Sequence, residues 1–423
     1  MAASTATRNT TVGTFAVLGF PAVDFDHFHR VELSRRLREG VNEQVFWDVR
    51  GAAPIAIRVG DAAYSYVAGR ERVEIVPGIV DDAEVVLAMP LVAWQDYVYE
   101  FRTRFGLLYS HAVEFIRGDF DRWDAWEPAL RCLYSGRPIY NPAALNFTDL
   151  DGRPLDLHRS FDLDDSPAAM GHFLRTTGYL VVKRAFADRL AEIAAEVDRL
   201  RDEAREGELW SWWAGDQNGR RFPYRLLYMA QRSPLIAALD DDPVVRQLIA
   251  LSGESVVPVP DRVEGHLAVL KPFGRGAEVS GFATLPWHKD CGLGGCPITC
   301  PAAQVGVQLD AANAESSQLV MLAGSAGKVC HDRPTPEQLA QWPVVALETE
   351  AGDATVHLTC GLHAGPPPTG PNPRRTLYIP FYNPRTYDLI GPLQGYQQVI
   401  PGWGGGDIPN EDELQQSYAG QPN

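Results

Sequence analysis

The chain has 423 residues, of which 45% are hydrophobic and 22% charged, with a formal net charge of −16. That is the composition of a folded chain with a sizeable core, and it excludes a fibrous or disordered protein. An acidic balance of this size opposes phosphate backbones and anionic lipid surfaces, and no basic patch offsets it, so a small-molecule ligand is expected rather than nucleic acid or a membrane. No run of roughly eighteen apolar residues occurs and the N-terminus lacks an apolar signal core, so a cytoplasmic protein without membrane insertion is expected. Six cysteines in so long a chain, five of them after position 290, do not form the framework of a small secreted domain and are expected as thiols.

In chain order, residues 1–20 are small and polar and predict a loose arm. Residues 21–140 predict an α+β domain. The runs PIAIRV (54–59), AYSYVAG (63–69), RVEIV (72–76) and AEVVLAM (83–89) are separated by Gly, Asp and Pro and predict an antiparallel sheet. LVAWQDYVYEFRTRF (91–105) carries Val92, Trp94, Tyr97, Val98 and Phe101 at helical spacing. FIRGDFDRWDAWEPALRCLYSG (115–136) predicts a strand, a Gly-Asp turn and a closing helix. With DDAEVVLAMPLVAWQDYV (81–98) and AVEFIRGDFDRWDAWEPAL (112–130), residues 25–138 resemble the sterol-carrier-protein-like domain. The resemblance implies a tunnel for an apolar ligand between sheet and helices. An accessory domain that only packs or dimerises is the other reading, since a helix-covered sheet needs an apolar face in either case.

Residues 141–165, rich in Pro, Asn, Asp and Gly, predict a linker, and residues 166–395 a second domain. GYLVVKRAF (178–186) has a buried-strand pattern. The following segment, 187–208, places Leu190, Ile193, Val197 and Leu200 on one helical stripe. DPVVRQLIALSG (242–253) predicts a helix with Asp242 as N-cap and Gly253 as C-cap. From 256 onward come VVPVP, HLAVLK, QVGVQLD, SQLVMLAG, VVALE, ATVHLT and RTLYIPFY, short strands between turns that predict an antiparallel barrel or jelly roll. Residues 396–423 predict a polar, Gly-rich tail.

Within LPWHKDCGLGGCPITCP (285–301), His288 and Asp290 stand two apart on an extended segment and so share a face. Such a pair alone is also what a surface salt bridge looks like. EAGDATVHLTCGLHAG (350–365) adds His357 and His363. Two imidazoles and one carboxylate make the facial triad of non-haem Fe(II) oxygenases, leaving three positions open. A bidentate 2-oxo acid and O2 would fill those positions, and the far carboxylate of the keto acid calls for a planar cation, offered by Arg374 or Arg375.

Residues 165–385 resemble the phytanoyl-CoA dioxygenase family of Fe(II)/2-oxoglutarate oxygenases. The carriers are Trp287-His288-Lys289-Asp290, Gly352-Asp353, Leu362-His363, and Arg374 eleven residues after His363. The resemblance implies a double-stranded β-helix with flanking helices. It assigns His288, Asp290 and His363 as metal ligands and catalytic residues, with Arg374 on 2-oxoglutarate, and prefers them to His357 and Arg375. It leaves His357 in the core or supporting the ligands, and Arg375 at the surface. Two departures stand out: the place two after the distal histidine, usually a small hydroxyl residue, is Gly365, and the loop 366–373 is unusually rich in proline.

Lys271 is a second candidate for an anionic cosubstrate, and Trp213, Tyr224 and Trp287 are candidate pocket walls. Cys291, Cys296 and Cys300 lack the CxxC pairs of structural zinc sites, so a loop with buried thiols is expected over a zinc knot completed by Cys330 and His331. The expected activity is hydroxylation of an apolar small molecule, such as a steroid, terpenoid, acyl chain or other natural product. Asp290 disfavours halogenation, which needs that ligand position free. A binding-only protein and a zinc hydrolase on a cupin-like barrel are the competing classes.

Overall fold

The computed structural model describes residues 13–109, 111–272, 274, 285–290, 299–331 and 334–394. They divide into two compact units at Ile139 and Tyr140. Among the described residues no helix is long and apolar enough to cross a membrane.

The first unit is a five-stranded sheet, β1 (Ile55–Val59), β2 (Ala62–Ala68), β3 (Val73–Pro77), β4 (Val85–Ala88) and β5 (Glu114–Arg117), in the order β3-β2-β1-β4-β5. The expectation of an antiparallel sheet is corrected at its centre, where β1 and β4 run parallel with Ile55 opposite Val85. The β2–β3 hairpin occupies one edge of β1, so the chain returns to the other edge in the direction of β1. Alternating hydrophobicity reports which face is buried, not which strand is the neighbour. The helical stretch 91–105 is also divided, into Leu91–Val98 and a helix from Arg104, with Glu100 at φ 61° between them. The Asp96 carboxylate accepts the Thr14 and Phe15 N–H groups at 3.1 and 2.9 Å, so the described end of the expected arm is tied down; residues 1–12 lie outside the described residues. Trp94, Trp123, Trp126, Tyr64, Tyr66 and Tyr97 are fully buried in this unit's core.

The second unit contains two sheets, consistent with a cupin-like jelly roll. The larger joins β6 (Tyr179–Val182), β7 (Ser211–Gly215), β8 (Arg221–Leu226), β9 (Val257–Pro258), β10 (Leu267–Lys271), β12 (Ala302–Gln308), β15 (Ala354–Leu358) and β17 (Arg374–Tyr382), in the order β6-β15-β12-β17-β10-β8-β7 with β9 on β17. The smaller is β11 (Leu285–His288), β16 (His363–Gly365), β13 (Val320–Leu322) and β14 (Val344–Ala346), in that spatial order. Residues 141–165, expected as a linker, pack on this unit. Phe161 is buried, its N–H donates to Val181 O at 2.9 Å, and its carbonyl accepts from Lys183 N at 2.7 Å.

The amphipathic segment forms the helix Leu190–Glu203, with Ile193, Val197 and Leu200 buried. Asp242 caps the helix Pro243–Ala250, accepting from Val244 N at 2.8 Å. That helix ends at Leu251, and Gly253 takes the left-handed turn two residues beyond, at φ 74°. The Gly352-Asp353 pair is structural. The buried Asp353 carboxylate takes Lys183 Nζ at 2.9 Å and the Arg184 and Glu350 N–H groups at 2.8 Å, pinning the start of β15 beside the end of β6. The tail 396–423 lies outside the described residues.

Candidate metal centre and its cleft

Strands β11 and β16 pair antiparallel with His288 directly opposite His363, which brings the ring centroids to 4.2 Å. Asp290 follows just past the end of β11. Its Oδ1 lies 3.5 Å from His288 Nε2 and 3.4 Å from His363 Nε2, and one donor atom from each of the three residues falls within 4.8 Å of the others. His288 Nδ1 lies 2.8 Å from Pro286 O, and His363 Nδ1 lies 2.9 Å from Gly361 O. Each Nδ1–H therefore donates to a carbonyl, which leaves the Nε2 lone pair aimed at the common point, as an imidazole ligand requires.

The other carboxylate oxygen of Asp290 is occupied. Gln304 Nε2 donates to Oδ2 at 2.8 Å, and His357 Nε2 lies 3.2 Å from the same atom. Gln304 on β12 and His357 on β15 are cross-strand partners, so one rung of the large sheet holds one oxygen and turns the other toward the two histidines. Burial opposes the charge of Asp290, but His363, His288 and His357 outweigh it and hold the carboxyl well below its ordinary range. Burial lowers His288 and His357, which favours neutral imidazoles. For His363 burial is outweighed by Asp290, and its pKa is raised.

Farther along the cleft, Lys271 on β10 and Arg374 on β17 are direct cross-strand partners, both buried. Lys271 Nζ donates to Ser317 Oγ at 2.5 Å and to Gly365 O at 3.2 Å. Arg374 donates to Thr376 Oγ1 at 3.0 Å, to the Ser317 carbonyl, and to Tyr378 Oη at 3.3 Å. Burial, followed by the neighbouring Arg374 and Arg225, pushes the Lys271 ammonium well below its usual range, a bias that an anion beside it would reverse. The departure at Gly365 has a steric reason: a Cβ there would come within 2.9 Å of Lys271 Nζ. Arg375 points the other way, paired with Asp198 and Asp310 at 2.8 Å each.

His288, Asp290, His363, Lys271 and Arg374 all line one open cleft. Trp213, Tyr224 and Trp287 are not among its lining residues, which corrects the expected pocket walls. Trp213 packs against the core and donates to Ser211 Oγ at 2.9 Å. Tyr224 lies against Trp212, and Trp287 packs with Tyr140, Leu322 and Leu362. The cause is strand alternation: Arg225 and His288 face the cleft, so Tyr224 and Trp287 face away. Tyr378 and Tyr382 are the aromatic walls instead.

Sequence reasoning also missed Gln304, Ser317, Arg225 and Glu264. Gln304 had a usable signal, an amide inside the apolar run AAQVGVQ; Ser317, in a turn, had none. Among the described residues Cys300, Cys330 and Cys360 are not in disulfides, while Cys291 and Cys296 lie outside the described residues. Among the described residues, the cluster that could hold a metal is His288, Asp290 and His363, without cysteine.

No curated protein matches the chain in sequence. Among solved structures, it is similar to EvdMO1 at 22% identity and TM-score 0.40, over 52% of this chain and 50% of that one, so it spans about half of EvdMO1. EctD from S. alaskensis with bound Fe is 18% identical with TM-score 0.44, over 64% of this chain and 92% of that one. The epimerase SnoN in complex with Fe3+, alpha ketoglutarate and nogalamycin RO is 19% identical with TM-score 0.39, over 53% and 89%. Residues 174–376 match the family described as phytanoyl-CoA dioxygenase (PhyH), wholly within the second unit. The second unit therefore carries a PhyH family domain, and that family is one of Fe(II)/2-oxoglutarate-dependent oxygenases.

Proposed function

We propose that the second unit is a non-haem Fe(II)- and 2-oxoglutarate-dependent dioxygenase that hydroxylates a small molecule with a largely apolar body. The observation that carries this is the donor set: two imidazoles with their Nδ1 atoms committed to carbonyls and one carboxylate with its second oxygen committed to Gln304 and His357. Three protein donors on one side suit an open iron site better than a closed structural one. When bound, iron with 2-oxoglutarate and O2 supplies oxidation of a C–H bond, coupled to conversion of the keto acid to succinate and CO2.

The chain's own residues do the positioning. His288, Asp290 and His363 would hold the metal, with Gln304 and His357 fixing the angle of Asp290. Arg374 would take the far carboxylate of 2-oxoglutarate through its planar fork, with Lys271 as the second cation and Ser317 orienting both. Leu267, Val269, Leu285, Leu319 and Pro380 give the cleft an apolar wall that would receive the substrate body. Asp290 as a ligand favours hydroxylation over halogenation.

The test is succinate formation by the purified chain given Fe(II), 2-oxoglutarate and O2, beside a His288→Ala variant. Succinate that depends on iron and vanishes in the variant supports the reading. None in either protein returns the chain to the binding-only class, and turnover supported by zinc without O2 points to a hydrolase. For the first unit we propose a sterol-carrier-like role in holding an apolar ligand, supported by its helix-covered sheet; failure of the full chain to bind a fluorescent fatty acid or sterol would leave it an accessory domain.

A further inference from the structure

The cleft has a polar group that neither the metal nor the keto acid accounts for. Arg225 on β8 is the cross-strand partner of Val269, two residues from Lys271 on β10, and its side chain pairs with Glu264, just before β10 begins. Arg225 Nη1 donates to Glu264 Oε2 at 2.6 Å, and the guanidinium sits over the Trp212 ring at 5.0 Å. Its Nε is buried without a hydrogen-bond partner among the described residues, although Arg225 and Glu264 both line the cleft. A guanidinium N–H left unpaired in a site is destabilising unless a ligand accepts from it.

The strand registers place Arg225 one rung from the Lys271 and Arg374 pair, with its ion-pair partner farther along the strand. Arg374 lies opposite Lys271, whereas Tyr378 lies opposite Leu267, and Pro380 lies opposite Gln304, which holds Asp290. A keto acid reaching from Arg374 to the metal runs along β17. Arg225 stands at the Val269 rung, and its partner Glu264 lies three residues before Leu267, on the side of the cleft away from Arg374.

Charge defines the occupant. Arg225, Lys271 and Arg374 face Glu264 and Asp290 across the cleft, an excess of one positive charge inside a protein of net charge −16. A divalent metal and a dianionic keto acid cancel each other and leave that excess in place. We propose that Arg225, braced by Glu264 and Trp212, is a specificity-determining residue that donates its Nε–H to a carboxylate of the substrate. The substrate class is then a monocarboxylic acid with an apolar body lying along Val263, Leu267 and Val269. This rests on the oxygenase reading and narrows its substrate.

The test uses the full-length protein loaded anaerobically with Fe(II) and 2-oxoglutarate. Aryl-alkanoic, long-chain alkanoic and terpenoid acids are each paired with their methyl esters, and binding is measured by calorimetry for wild type, Arg225→Met and Arg225→Lys. Loss of a hydrogen bond to a charged group predicts acids binding wild type at least about tenfold tighter than their esters, with the preference collapsing in Arg225→Met. Equal affinity for acids and esters, a preference that survives Arg225→Met, or no acid in the panel binding wild type would overturn the proposal. The acid-to-ester ratio in wild type does not depend on whether either variant folds. Wild-type succinate formation tests the oxygenase reading separately: its absence refutes that reading, while its presence without acid preference refutes only the carboxylate subsite.

Discussion

His288 and His363 stand directly opposite each other on antiparallel strands, 75 positions apart in the chain and 4.2 Å apart between ring centroids. Because the pairing of β11 with β16 sets their separation, removing either imidazole leaves a two-donor site on an intact sheet. His363→Ala is expected to abolish iron-dependent succinate formation and stoichiometric Fe(II) binding while the far-ultraviolet circular dichroism stays that of wild type. Iron retained at full stoichiometry in the variant would show that the metal sits elsewhere.

Gln304 touches no metal, yet it holds Asp290 Oδ2 at 2.8 Å. Gln304→Leu keeps the volume and removes the donor, so the carboxylate loses its fixed angle. Anaerobic titration with Fe(II) or Co(II) is expected to show metal affinity weakened by roughly 10–100-fold. An unchanged affinity would mean His357 orients Asp290 unaided.

At the end of the cleft proposed for the cosubstrate, the space that a side chain on Gly365 would need is taken by Lys271 Nζ, 2.9 Å from the Cβ position. The obstructing atom is the tip of a flexible chain, so Gly365→Ala should fold while displacing the ammonium from Ser317. The expected result is a KM for 2-oxoglutarate raised about tenfold or more, as for loss of a hydrogen bond to a charged group, with a similar rise in Arg374→Lys, which loses the bidentate fork. A KM within twofold of wild type in both would remove these residues from the cosubstrate site.

The first unit carries a stability signal of its own. Burial pushes the Asp48 carboxyl up to about 7 from its ordinary 3.8, against opposing contributions from Ala129 N–H and Arg131. Between those values the unfolded chain has released the proton and the folded one has not. The contribution is therefore fully present below about 3.8 and is lost as pH rises through about 7. Asp48→Asn is expected to raise the melting temperature by roughly 2–6 °C at pH 8 and to have little effect near pH 4. Equal shifts at both pH values would contradict a buried, titrating Asp48.

The amino-acid order by itself displayed the strand-rich second half and the candidate donors. His288, Asp290, His363 and Arg374 have side-chain chemistry that few alternatives match, and a spacing that the chain displays directly. It also showed Asp242 as a helix cap, because capping is a local bond between neighbours. What it could not display were relations between strands. The parallel pairing of β1 with β4, the Gln304 and His357 rung behind Asp290, and the alternation that turns Trp287 and Tyr224 out of the cleft are fixed by register, which depends on partners far along the chain. The same holds for Lys271, which its position near a strand end would place in solvent. Only the convergence of β10, β16 and β17 buries its ammonium beside Arg374, because burial is decided by which surfaces meet and not by any residue alone.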